Sequence, residues 1–332
     1  MQAVCVEQAG WPNALPVRER PVPDVGDDDV LVRVHAAGMN FADMLLIDGS
    51  YQEQVSLPFV PGAELCGTVL AVGSNVDASW CGERIMGQVL SGAYAEYAVV
   101  HQHRLARVPH NMPSDVAAGF YIPYGTALCA LQHRGRVKPG ESVLVLGAAG
   151  AVGLAAVQVA KALGARVIAA AAGHKLDQTA AAGADVSIAY DTGDLRQAVL
   201  DATDGQGVDV VFDPVGGAVS EQALRCLRFE GRLIVIGFTS GQPPALRSNH
   251  ILVKNIDIVG CYWGPYQTQR AADTQAAFVT LANWYDQGLL RPHIADHVSL
   301  QDVSRALQGL VNRQYAGKVI VNIDPSLKGE TA

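Results

Sequence analysis

Val143-Leu144-Val145-Leu146 runs without a break into Gly147-Ala148-Ala149-Gly150-Ala151-Val152-Gly153. A short apolar run, a glycine-rich turn and a small-residue stretch ending at Gly164 predict a buried strand that turns sharply into a helix. The rhythm repeats downstream. Apolar runs at 166–170, 186–189, 208–212, 232–236 and 256–259 alternate with helical stretches at 175–182, 194–203 and 220–227. Gly183 stands where the first of these helices must end in a left-handed residue. Short strands alternating with helices predict an α/β doubly wound parallel sheet.

The glycine turn carries chemistry as well as geometry. Small residues let the backbone approach a pyrophosphate, and the N–H groups of the following helix face its charge. Gly150 permits the approach, and Gly153 lets the helix sit tightly on the strand. Ala148 occupies a position usually held by glycine, so the pattern is a variant. A tight turn with no ligand is the competing reading; the alternating elements around it argue for a dinucleotide. The end of the second strand distinguishes NAD from NADP. An NAD site usually places an acidic residue there. This chain reads Ala170-Ala171-Ala172-Gly173-His174-Lys175, with no carboxylate and a cation close behind. The expectation is NADPH over NADH, with Lys175 pairing with a 2′-phosphate. The alternative is that Lys175 is a solvated residue in the first turn of a helix.

The flanking regions differ. Residues 1 to about 120 hold β-type runs at 30–35, 65–72 and 97–100, separated by turns such as Pro61-Gly62 and Gly73-Ser74-Asn75. After residue 265 come one amphipathic helix, 271–287, and one strand, 318–323. A lone strand cannot form a sheet, so it is expected to return to the N-terminal domain. The expected domains are 1–122 with 265–332, and 123–264 inserted between them.

Composition closes off several functions. The chain has 332 residues, 49% of them hydrophobic, which supports full-sized cores and excludes a mainly disordered protein. A net charge of −8 disfavours nucleic acid and anionic membranes as partners. The longest run without a charged or strongly polar side chain, 143–157, is too short to span a bilayer. The first residues do not read as a secretory leader, so a cytoplasmic location is expected. Six dispersed cysteines, none in a C-x-x-C spacing, predict free thiols rather than a disulfide framework or a structural zinc cluster.

Further landmarks carry a resemblance. They are 35–43 (His35 to Asp43, with Asn40), 58–64 (Pro58 to Glu64), 92–97, Tyr124-Gly125-Thr126-Ala127, 147–153, Asp213-Pro214-Val215-Gly216-Gly217, 260–264 and Gly317-Lys318-Val319. On these, nearly the whole chain resembles the zinc-independent NADPH:quinone oxidoreductases related to zeta-crystallin, within the medium-chain dehydrogenase/reductase superfamily. The resemblance implies a GroES-like β-rich catalytic domain, completed by the C-terminus, facing a Rossmann domain across a cleft. It implies a homodimer joined through the Rossmann sheets. It places Asn40, Asp43 and Thr126 near the nicotinamide, with Tyr124 beside them as a catalytic candidate or a packing residue. Gly150, Ala151 and Val152 would meet the pyrophosphate. Gly173, Lys175 and Tyr190 would hold the adenosine 2′-phosphate end. Val215, Gly237, Phe238 and Trp263 would line the nicotinamide wall, and Lys318 would lie on the cofactor side. Ala171 and Ala172 stand where many relatives carry serines, which weakens the expected preference for NADPH.

Zinc-dependent members of the superfamily use a Cys where this chain has Asn40 and a His where it has Ala63. Neither residue can supply the thiolate or imidazole of a catalytic zinc site. Without a Lewis acid, hydride addition to a simple ketone leaves charge on one unsupported oxygen. A quinone or an α,β-unsaturated carbonyl spreads that charge over its own π-system. The expected reaction is therefore metal-free hydride transfer from NADPH to a quinone or similar conjugated carbonyl. Asn40 and Thr126 are the candidate hydrogen-bond donors. The alternatives are reduction of the double bond of an enal, enone or enoyl thioester and, more remotely, a non-enzymatic crystallin-like or RNA-binding role.

Overall fold

The computed structural model describes residues 1–10 and 15–324. The chain divides into two compact units: residues 1–122 with 292 onward, and residues 123–291.

The first unit is built on a sheet whose strands run in the order Ile294–Ser299, Lys318–Asn322, Asp29–Gly38, Glu64–Val72, Arg84–Gln88 and Leu105–Arg107, with Tyr97–His101 also pairing to Asp29–Gly38. Alternate residues Val30, Val32 and Val34 are buried along the long strand, as period-two patterning requires. They pack with Val4, Leu65, Ile85 and Val321 in one core. The C-terminal strand does return to this sheet, antiparallel to Asp29–Gly38, with Ile320 opposite Gly38 and Asn322 opposite Ala36. It gains a parallel neighbour, Ile294–Ser299, whose polar Asp296 and His297 leave it without an apolar run. The helix Val303–Val311 is a further element beyond those expected, with Val303, Ala306 and Leu307 buried at helical spacing.

The second unit contains a six-stranded sheet in the order Val186–Ala189, Arg166–Ala171, Ser142–Leu146, Val208–Asp213, Leu227–Val235 and Asp257–Gly260. Every neighbouring pair is parallel. The observed order is that of a dinucleotide-binding sheet. The helix Ala151–Ala162 lies against it with residues 153–160 buried; the run of Ala and Gly permits the close approach.

The unit boundary differs from the expected one. The helix Ala271–Asp286 and the chain as far as Arg291 belong with the nucleotide-type sheet. The reason is packing. Phe278 meets the ring of Trp263 at 6.2 Å between centroids, and Arg291 exchanges backbone hydrogen bonds with the Gln158 side chain. An amphipathic pattern shows that a helix buries one face but does not say against which sheet. All six cysteines are free thiols.

Candidate active site

The candidate site residues fall into two groups, one in each unit.

In the second unit the carboxyl ends of the strands form the first group. Ser142–Leu146 ends at Gly147 (φ +57°), and the helix Ala151–Ala162 starts at Gly150 with no side chain capping it. The first N–H groups of an uncapped helix are unsatisfied donors directed along its axis. The glycines here fall into two classes. A Cβ on Gly153 would sit 2.3 Å from Gly147 O and 2.7 Å from Ala148 Cα, so this glycine is required by the fold. A Cβ on Gly150 would meet only Gly147 O, at 3.4 Å, and one on Gly237 only Pro214 O, at 3.7 Å. The fold does not need those two to be small, and the space beside them is open. An uncapped helix end next to open glycines suits a pyrophosphate lying against backbone. Ala151 and Val152 are the first residues of that helix.

Three further features border these strand ends. Asp213 accepts hydrogen bonds from the N–H groups of Val215 (2.9 Å) and Gly216 (3.0 Å), folding the chain back after its strand and placing Val215. Phe238 is partly exposed beside Gly216, where a Cβ would meet its Cδ1 at 2.9 Å. At the end of Arg166–Ala171, Gly173 opens the turn that carries Lys175, which is only 8% exposed. Tyr190 reaches the same turn from the neighbouring strand, its N–H bonded to Ala171 O at 3.2 Å. Gly173, Lys175 and Tyr190 are therefore brought together.

A carboxylate is brought there too. Asp191 places Oδ1 and Oδ2 at 3.0 and 3.2 Å from the Gly173 nitrogen. The sequence reading expected no acid at this point. Asp191 comes from the end of the next strand, where Ala189 lies opposite Ala171, so its arrival depends on strand pairing.

Tyr124, Thr126 and Trp263 are buried in this unit. The Tyr124 hydroxyl donates to Gln158 Oε1 at 2.9 Å, and burial pushes its pKa well above the ordinary phenol range. Its proton is committed to a structural partner. Trp263 packs against Gly125, where a Cβ would lie 2.7 Å from its Cζ2.

The second group is a buried polar cluster in the first unit. Asn40 precedes the helix Phe41–Asp48, and its backbone N–H donates to Asp43 Oδ2 at 2.8 Å, the acidic half of a capping box. Tyr94 donates its hydroxyl to the same oxygen at 2.5 Å. Burial, only partly offset by Tyr94 and the Asn40 N–H, raises the Asp43 pKa from 3.8 to about 6. Lys318 Nζ donates to Glu64 Oε2 at 2.5 Å and to Asn40 Oδ1 at 2.7 Å. Burial also raises the Glu64 pKa, against the pull of Lys318. The Asn40 amide gives one proton to Gly38 O (3.0 Å) and the other to Glu64 Oε2 (3.2 Å).

Both amide protons of Asn40, the expected donor to an acceptor, have partners inside the first unit. The ammonium of Lys318, expected on the cofactor side, pairs with Glu64 in the same unit. Glu64 and Tyr94 had no role in the sequence reading. A signal existed: Glu64 opens a mostly apolar strand, Glu64–Val72, and a carboxylate in such a place requires a partner. Among the described residues, no group of three or more His, Cys, Asp or Glu side chains is arranged to hold a metal ion. None of their helices is long and apolar enough to cross a membrane.

Comparison with known proteins agrees with this architecture. Residues 26–110 match the alcohol dehydrogenase GroES-like domain, and residues 151–278 match the zinc-binding dehydrogenase domain. The chain is 39% identical over 323 residues to quinone oxidoreductase-like protein 2 of Mus musculus, covering 97% of this chain and 91% of that one. It is 31% identical over 327 residues to the quinone oxidoreductase of Homo sapiens, covering 97% of each. Among solved structures, the quinone oxidoreductase of Escherichia coli complexed with NADPH superposes with a TM-score of 0.91 at 28% identity, over 97% of this chain and 100% of that one. With this sheet order, this glycine turn and this extent of similarity, the chain belongs to the quinone oxidoreductase family of the medium-chain dehydrogenases/reductases.

Proposed function

We propose that the protein is an NADPH-dependent oxidoreductase that transfers hydride to a quinone or a similarly conjugated carbonyl without a metal. The observation that carries this reading is the uncapped helix at Gly150 beside open space at Gly150 and Gly237. It is supported by the NADPH complex of the Escherichia coli relative. When bound, the dinucleotide supplies the hydride. The backbone N–H groups of Ala151 and Val152 hold the pyrophosphate, and Lys175 with Tyr190 receives the adenosine end. Val215 and Phe238 border the nicotinamide end, and Trp263 is held between Gly125 and Phe278. The acceptor disperses the incoming charge over its own ring, so the chain needs to align and desolvate rather than supply a Lewis acid. Asn40 and Ala63 fit that demand, because neither is a strong metal ligand.

In the first unit the donors of the cluster around Asn40 are already spent on one another. Thr126 remains the candidate donor to the acceptor. Product protonation then comes from solvent, since the Tyr124 proton is held by Gln158. Steady-state oxidation of NADPH with a 1,4-quinone and with a 2-alkenal tests the reading. Turnover of the quinone alone, or much faster than the alkenal, is expected. Exclusive turnover of the alkenal assigns double-bond reduction instead, and turnover of neither removes both.

The proposed assembly is a homodimer through the edge strand Asp257–Gly260. That strand has one neighbour in its sheet, and Leu252 (76% exposed) and Val253 (70%) lie on the helix just before it. An open edge flanked by exposed apolar side chains suits pairing with a second copy. Light scattering should give twice the chain mass, and Val259→Pro should give the monomer mass.

A further inference from the structure

We propose that Asp191 is a cofactor-selectivity residue whose carboxylate weakens binding of the 2′-phosphorylated dinucleotide relative to the unphosphorylated one. This rests on the reading that the Gly173 turn receives the adenosine end. The carboxylate is bonded through both oxygens to the Gly173 N–H, at 3.0 and 3.2 Å, and the residue is exposed. A Cβ on Gly173 would meet only Ala189 Cβ, at 3.6 Å, and Asp191 Oδ1, at 3.7 Å. An acidic oxygen therefore borders that open space.

Two effects act in the same direction. A phosphate monoester carries close to two negative charges near neutral pH, and a carboxylate on the same turn repels it. The carboxylate also occupies a backbone donor that a phosphate oxygen would otherwise use. A ribose 2′-hydroxyl meets no such penalty, because it can donate to a carboxylate, as acidic residues in NAD sites exploit. Lys175 on the same turn pulls the other way. The selectivity of the turn is the balance of the two.

Asp191 also caps the short turn Gly173–Lys175, so removing it outright would confuse charge with structure. Asp191→Asn separates them: the amide oxygen still accepts the Gly173 N–H and the charge is gone. NADPH and NADH are each titrated into the free protein, without acceptor, following nucleotide fluorescence. Asn should raise the preference for NADPH over NADH by about tenfold at low ionic strength. The difference between wild type and variant should shrink as salt is added. A preference unchanged within about twofold, or equal weakening of both nucleotides, reduces Asp191 to a turn cap and overturns the inference. Failure of the wild type to bind either nucleotide instead overturns the reading of the site on which the inference rests.

Discussion

Lys318 and Glu64 form an ion pair at 2.5 Å in which the side chains are 4% and 0% exposed. Their approach depends on a missing side chain. A Cβ on Gly38 would lie 2.6 Å from Lys318 Cε and 2.9 Å from Glu64 Oε2. The pair ties the returning C-terminal strand, which begins at Lys318, to the strand Glu64–Val72, which begins at Glu64. Lys318 also fixes the Asn40 amide by donating to its oxygen.

Breaking this pair from one side should cost more than removing it. Lys318→Met leaves a buried carboxylate and should destabilise the first unit by about 3–5 kcal/mol. Lys318→Met combined with Glu64→Gln should recover most of that loss. Thermal unfolding and hydrogen exchange on the strand Lys318–Asn322 would measure both. A double variant as unstable as the single one would show that the pair does more than neutralise its own charges.

Asp43 should make stability depend on pH. Its folded pKa is about 6 against an ordinary 3.8, so the folded state holds the proton longer than the unfolded chain. Unfolding between these values releases a proton, and stability falls as pH rises. The contribution is full below about pH 4 and lost by the time pH passes about 6, with an amplitude of roughly 3 kcal/mol. Asp43→Asn removes the titration. The melting temperature of wild type relative to the variant should therefore fall from pH 4 to pH 7 and then level. A difference that stays flat across that range contradicts the assignment.

The two classes of glycine in the nucleotide turn predict opposite phenotypes. Gly150→Ala should change stability by less than about 1 kcal/mol while weakening NADPH binding about tenfold or more, because the added methyl enters open space beside the helix end. Gly153→Ala should cost roughly 1–3 kcal/mol through collision with Gly147 O. Melting curves paired with nucleotide titration distinguish the two; equal stability losses would dissolve the distinction.

Tyr124→Phe tests whether the phenol is an acid or a strut. The variant loses one hydrogen bond to Gln158, whose oxygen keeps the Arg291 N–H, and should lose about 1 kcal/mol of stability. Its kcat with quinone should stay within about twofold of wild type. A kcat reduced a hundredfold with unchanged stability would make Tyr124 the proton donor.

Local pattern alone made much of the molecule legible. Val143 to Leu146 followed by Gly147, Gly150 and Gly153 specifies a strand turning into a closely packed helix, because few other backbones accommodate that run. Alternating apolar runs then specify a parallel sheet, since buried strands and covering helices need each other. Asn40 and Ala63 were readable as poor metal ligands from residue chemistry alone.

Tertiary structure decided what depends on residues far apart in the chain. Lys318 reads as a cation near a glycine until the sheet register carries it 254 positions back to Glu64. Asp191 reads as a loop acid until the parallel pairing of Ala189 with Ala171 sets its carboxylate on Gly173. Local periodicity follows from the stereochemistry of one short stretch, so it is written in consecutive residues. A buried charge is balanced by whichever partner the fold delivers, and consecutive residues do not record that.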